Sequence, residues 1–225
     1  MSSGSVAVIG IDLERAAVSE QPRPWTSGDA GDLAHARPDG VAASRREHIA
    51  TTAMTLFLEH GFEAVTVDDI ADAASVGRAT VFRYFGEKAE IVFADASELE
   101  SVLTDAATNT ANALAPIGGD LRTALRVCRA GLLALADYCT EHADHIRVMD
   151  TLTASHETLQ TARAAKERRY IDQLRQILTD NGTNESTAAL TGHLAIAVYT
   201  FARERAEGDP AGLGVAIDEA LTQLL

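Results

Sequence analysis

Residues 66–88, TVDDIADAASVGRATVFRYFGEK, restrict the possible folds of this chain more than any other stretch. Val67, Ile70, Ala71 and Ala74 recur at i, i+3, i+4 and i+7, the spacing of a helix with one buried face. Thr66 stands just before that stripe, and Asp68 and Asp69 fall in the first turn. There a hydroxyl caps free amides, and carboxylates meet the positive end of the helix dipole. Ser75-Val76-Gly77 interrupts the pattern; Gly77 suits the N-cap of a second helix, with Val76 packed beneath it. That second helix is about two turns long. Val81 and Phe85 lie four apart on its back, which leaves Arg78, Ala79, Phe82 and Arg83 facing elsewhere. A short helix held by its back, with arginines and small residues in front, has the dimensions that a DNA major groove admits.

Residues 45–93 resemble the N-terminal domain of TetR-family transcriptional regulators. The likeness runs from the first-helix pattern ending in Leu56-Phe57, through Gly61-Phe62 and Thr66-Val67-Asp68-Asp69-Ile70-Ala71, to Thr80-Val81-Phe82-Arg83-Tyr84-Phe85 and Lys88. Many independent positions agree, which a lone short motif does not offer. Two departures matter. The turn that usually reads Gly-Val-Ser is Ser75-Val76-Gly77 here, which leaves Ser75 where left-handed backbone is common. The usual tyrosine after the apolar residue of the second helix is Phe82, which has no hydroxyl for a phosphate and offers a ring to a thymine methyl.

The resemblance implies an all-α protein. A three-helix helix-turn-helix head is joined by a long helix to a helical effector-binding and dimerisation bundle, about nine helices in all. The divisions expected are a flexible extension over 1–43, the DNA-binding head over 44–93 and the bundle over 94–225. The function implied is a ligand-responsive regulator, a repressor that binds a palindromic double-stranded DNA operator as a homodimer and is released by a small, apolar effector. Its last two helices would pair with those of a second subunit. On the head, Arg78, Ala79, Thr80, Phe82 and Arg83 are the candidates for the groove, and Arg45, Arg46, Thr66, Tyr84 and Lys88 for the phosphate backbone. No cofactor, metal or catalysis is implied.

Composition has to be reconciled with a polyanionic partner. The formal net charge is -14. No long segment is basic, so phosphate affinity must come from the local group Arg45, Arg46, Arg78, Arg83 and Lys88, while the acidic remainder suppresses unspecific adhesion. At 225 residues and 46% apolar content the chain can bury a full core. The N-terminal Val6–Ile11 run lacks a basic lead, and no apolar run approaches a membrane span, so a cytoplasmic protein is expected. Cys128 and Cys139, eleven apart on one helix, lie roughly 16 Å apart along its axis and cannot bridge each other.

Gly, Pro and polar residues punctuate positions 1–43, which read as a solvated tail; alternatively Arg37, with Arg45 and Arg46, lets its end follow the DNA backbone or enter a minor groove. A first helix is expected over Ser44–His60, with Ile49, Ala53, Leu56 and Phe57 inward and Gly61 as its end. A fourth helix is expected to run unbroken from Glu87 to Leu114. Beyond Pro116 come helical patterns over Asp120–His142, Ala143–Ala154, Glu157–Asp180, Glu185–Glu207 and Leu213–Leu225. Leu132, Leu135, Tyr138, Met149, Leu152 and Tyr170 are candidates for an apolar effector pocket, with core packing the alternative for each. Ala188, Gly192, Ala195, Ala197 and Ala202 offer a small-residue face for close helix approach, or for ordinary core. His193 reads as a core or pocket histidine. Cys139, Glu141, His142, Asp144 and His145 cluster in sequence but fit no standard zinc spacing. Two other functions are compatible with the pattern: a helix-turn-helix interaction module without DNA, and an enzyme that turns over its ligand.

Overall fold

Ten helices make up residues 38–224, which the computed structural model describes: α1 (Pro38–His60), α2 (Val67–Ala73), α3 (Arg78–Phe85), α4 (Lys88–Val92), α5 (Ala96–Leu114), α6 (Leu121–Glu141), α7 (Ala143–Ser155), α8 (Glu157–Asp180), α9 (Glu185–Arg205) and α10 (Pro210–Thr222). Among the described residues there is no strand, as the all-α reading requires. The expectations for residues 1–37 lie outside the described residues.

The head is built as its side chains dictate. α2 opens with a capping box: the Thr66 hydroxyl accepts from the Asp69 amide at 3.2 Å, and the Asp69 carboxylate accepts from the Thr66 amide at 2.8 Å. The Thr66 hydroxyl also donates to that carboxylate at 2.6 Å, and this bond first, with the Thr66 amide second, holds the Asp69 carboxyl below the usual carboxylate range. Ser75 takes the left-handed conformation foreseen for it, at φ 53°. Gly77 is the N-cap of α3, and Val76 packs against the core below. Ile49, Ala53 and Phe57 of α1, Phe62, Ile70 of α2, and Val81 and Phe85 of α3 are all buried, and the Phe57 and Phe62 rings lie 5.1 Å apart. Leu56 is only half-buried.

Three boundaries differ from the sequence reading. α1 starts at Pro38, so Ser44 is an exposed residue inside the helix rather than its cap. Pro210 opens α10, three residues before the expected Leu213. Its missing amide is harmless at the first helical position, and the Asp209 carboxylate accepts from the Ala211 amide at 3.3 Å. The third difference accounts for the tenth helix. The expected rod from Glu87 to Leu114 breaks at residues 93–95 into α4 and α5. Ile91, Val92, Phe93 and Ala94 are consecutive and all buried, and four successive side chains cover nearly the whole circumference of a helix. Burying them all requires the backbone to turn, through i+3 bonds from the Ala94 amide to the Ile91 carbonyl and from the Ala96 amide to the Phe93 carbonyl. The carbonyl of Ala94 that the turn frees accepts from Arg46 Nη1 at 2.5 Å.

In the body α5 packs on α6, α6 on α10, and α8 on α9. Close approach depends on glycine at two places. A Cβ on Gly131 of α6 would lie 2.8 Å from the Leu103 carbonyl of α5, and one on Gly192 of α9 would lie 3.2 Å from the Ile171 carbonyl of α8. The small-residue face of α9 is therefore consumed within the chain: Ala188, Gly192, Ala195 and Ala202 are buried, and only Ala197 is exposed. Opposite that face α9 shows Leu190 and Phe201 to solvent, with half-buried Leu194 between them. His193 is exposed on this side, its Nδ1 2.8 Å from the Ala189 carbonyl. It lies neither in the core nor in a pocket, because the buried stripe of α9 passes through its neighbours Gly192 and Ala195.

Candidate functional site

α3 presents the surface that its pattern implies. Val81 and Phe85 anchor its back, while Arg78, Ala79, Phe82 and Arg83 are exposed and Thr80 and Tyr84 half-buried. Phe82, 43% exposed, is an unusual aromatic to leave in water. Both arginines lie over neighbouring rings: the Arg78 guanidinium 5.3 Å from the Phe82 centroid, and that of Arg83 5.3 Å from the Tyr84 centroid. Such stacking preorganises long side chains that would otherwise lose rotamer freedom on binding. Arg78 also donates through Nη1 to both carboxylate oxygens of Asp68, at 2.8 and 3.1 Å. This pair is exposed on both sides and exchanges readily with another acceptor.

The residues assigned to the phosphate backbone divide into free and engaged groups. Arg45 is exposed. Arg46 carries the bond to Ala94, and its guanidinium covers the Phe85 ring at 4.9 Å. Lys88 Nζ donates to the Phe62 carbonyl at 2.6 Å and the Val65 carbonyl at 3.0 Å, and it lies 4.3 Å from the Phe62 ring centroid. It thus ties the start of α4 to the loop between α1 and α2 and retains one of three N–H donors. The Thr66 hydroxyl is occupied by the capping box. Arg46 and Lys88 are structural ties that sequence position alone did not distinguish from surface cations.

A second feature lies in the body, where α7, α8, α9 and the start of α10 surround a cavity of about 60 Å³ beneath the α4–α5 turn. Of the six residues weighed for a pocket, Met149 and Tyr170 line it. Leu132, Leu135 and Leu152 are core residues away from it, while the Tyr138 hydroxyl donates to Glu98 at 2.9 Å and its ring stacks on His142 at 4.0 Å. Apolar walls come from Phe93, Leu99, Ile146 and Leu213, but the lining is not apolar throughout. Arg163 and Arg203 both donate to one oxygen of Asp150, at 2.6 and 2.8 Å. Lys166, 5% exposed, donates to Glu90 of α4 at 2.7 Å. These cations were missed because charged residues on a long polar helix normally point to solvent. Cys139 also lines the cavity, its thiol pushed up to about 11 by burial and by the charge of Asp150.

The other residues weighed as metal ligands are not brought together with it. His142 stacks on Tyr138, and His145 Nε2 lies 3.2 Å from Asp95, at ion-pair distance without hydrogen-bond alignment. Among the described residues no group of three or more potential ligands forms, and no helix is long and apolar enough to cross a membrane.

Comparison with known proteins places this geometry. Residues 49–94 match the family model for bacterial regulatory proteins of the tetR family. MftR of Mycobacterium tuberculosis, named as a transcriptional regulator, is 50% identical over 50 residues, which cover 22% of this chain and only 25% of MftR. The solved structure of Thermus thermophilus FadR, a TetR-family repressor in complex with lauroyl-CoA, superposes with a TM-score of 0.52 at 24% identity, over 80% of this chain and 92% of that one. SmeT, repressor of a Stenotrophomonas maltophilia multidrug efflux pump, gives 0.52 at 19% identity, over 79% and 89%. These two likenesses extend to the body, and at such identities they concern its fold. The head, residues 49–94, thus matches the tetR family of bacterial regulatory proteins in sequence, and the helical architecture is shared with solved structures of that family.

Proposed function

We propose that this protein is a DNA-binding repressor in the cytoplasm whose operator affinity is set by a small effector held in the body. The observation that carries the reading is the face of α3: four adjacent exposed positions, two of them ring-stacked arginines, on a helix whose back is fixed in the core. In this reading residues 44–93 read DNA and 94–225 sense and dimerise. Arg78 and Arg83 reach base edges, Phe82 meets a thymine methyl, and Ala79 leaves room for close approach. Thr80, Tyr84, Arg45 and the first turn of α2 around Thr66 meet the backbone. Arg78 would exchange Asp68 for a base or phosphate on binding.

One eight-residue reading helix touches few bases, so specificity favours a homodimer on a palindrome with half-sites about 34 Å apart. The last two helices, α9 and α10, supply candidate contact residues in Leu190, Leu194 and Phe201 and in exposed Val215. The effector, largely apolar, occupies the cavity against Met149, Tyr170 and their neighbours. It acts on α4 through Lys166, which lines the cavity and bonds Glu90 on the helix that follows α3. Ligand and DNA then favour different arrangements of the α4–α5 turn, with a coupling of about 1–3 kcal/mol, or roughly 5- to 150-fold in operator affinity.

Sequencing genomic fragments retained by the purified protein tests the reading. A shared palindrome bound in gel shifts with much higher affinity than random DNA is expected. Retention without sequence preference would overturn it.

A further inference from the structure

We infer that the effector carries a carboxylate, set on a short apolar body, and that Arg163, Arg203 and Tyr170 are the groups that recognise it. This rests on the reading of the cavity as the effector site. The polar part of the lining is unbalanced in hydrogen-bonding terms. Two guanidiniums, with ten N–H donors between them, make three bonds: two to a single oxygen of Asp150 and one from Arg163 to the Thr153 hydroxyl at 3.2 Å. Tyr170, 6% exposed, and Tyr199 also line the cavity, and neither hydroxyl has a hydrogen-bond partner among the described residues. Burial holds the Tyr170 phenol up to about 12, so it remains a neutral donor at physiological pH.

Three of the four carboxylates on the lining are engaged. Asp150 serves both arginines, Asp95 faces His145, and Asp209 caps α10 and pairs with Arg147 at 3.2 Å. Glu167 is half-buried on α8, one turn beyond Arg163, and forms no ion pair. The site thus has spare guanidinium and phenol donors that converge from two helices, beside one carboxylate without an ion pair, Glu167. A carboxylate is the group that best matches a forked pair of guanidinium donors. A ligand amine would find Glu167 as its one carboxylate without an ion pair, next to two arginines and a lysine. The remaining lining, with Phe93, Leu99, Ile146, Met149 and Leu213, suits an apolar body. Room for about four to six water molecules in 60 Å³ limits that body to a ring or short chain unless the walls move.

The test uses the full-length protein and three carboxylates, benzoate, hexanoate and decanoate, each beside its primary amide and its amine, with affinity read by calorimetry. At least one carboxylate is expected to bind ten-fold or more tightly than its amide, with the amine weaker still. In the Arg203→Gln variant that preference is expected to shrink at least five-fold, with a circular dichroism spectrum and melting transition showing that the variant is folded. If no carboxylate exceeds its amide, or if an amine of the set binds best, the inference is wrong. A preference undiminished in folded Arg203→Gln and in a folded Arg163→Gln variant overturns the recognition assigned to those residues. Operator binding of ligand-free protein is measured in parallel. Failure there concerns the proposed function, whereas intact operator binding without carboxylate preference concerns this inference alone.

Discussion

Arg78 faces a competitor before it meets DNA. Its bond to Asp68 is exposed on both sides, so the pair adds little to stability but occupies the donors a base edge would use. Arg78→Ala should lower operator affinity by about 1–3 kcal/mol and relax specificity at one position. Asp68→Asn should do the reverse, tightening binding in a gel-shift titration while changing unfolding free energy by less than about 1 kcal/mol. Lys88 belongs to a different class of cation. Two of its donors are given to the Phe62 and Val65 carbonyls, so Lys88→Met should destabilise the head by about 1.5–3 kcal/mol, read by urea denaturation. Arg46 and Lys88 looked like phosphate contacts in the sequence because a cation near a reading helix carries no mark of its partner. Thr66, Ser75 and Gly77 were legible, since capping and left-handed turns are decided within three or four residues.

Some helices could be read from the chain almost to the residue, as α8 at Glu157–Asp180 and α6, which begins one residue after Asp120, illustrate. The α4–α5 break could not. Residues 93–95 contain neither glycine nor proline, and only the burial of four successive side chains against head and body explains the turn. The cavity was hidden for the same reason: Arg163 and Lys166 on α8 and Arg203 on α9 become neighbours only when those helices pack. Packing also determines which substitutions the elements tolerate. Gly131→Ala places a methyl 2.8 Å from a backbone carbonyl that cannot rotate away, so α5 and α6 must separate; a loss of about 1–3 kcal/mol is expected from thermal or denaturant unfolding. Between α6 and α10, Arg129 Nε donates to Asp218 at 2.6 Å, and this bond holds the Asp218 carboxyl below its ordinary range. A depressed folded pKa means that the contribution is complete above the unfolded value of about 3.9 and disappears as pH falls through the folded one. Asp218→Asn should therefore reduce the acid dependence of the melting temperature below about pH 4.

For the whole molecule, the proposed reading has two copies spanning a palindrome, and α9 carries the exposed apolar side chains that a partner could cover. The double substitution Leu190→Asp with Phe201→Asp should leave the monomer fold intact, since both side chains are about half exposed, and should yield monomers in sedimentation velocity. The same protein should lose cooperative operator binding while keeping weak, salt-sensitive affinity for any duplex. The size of any movement at the head depends on the link to the body. An unbroken helix over residues 88–114 would be ~40 Å long, and a 5° tilt at one end would carry the other through ~3.5 Å. α4 is five residues, ~7.5 Å, and the same tilt displaces its tip by ~0.6 Å. The mechanical advantage of a long arm is absent, so the gearing between cavity and DNA is low. Operator release would then come from torsion about Phe93, Ala94 and Asp95, and stiffening the backbone at Ala94, the one of the three that does not line the cavity, would blunt the response while leaving the face of α3 untouched.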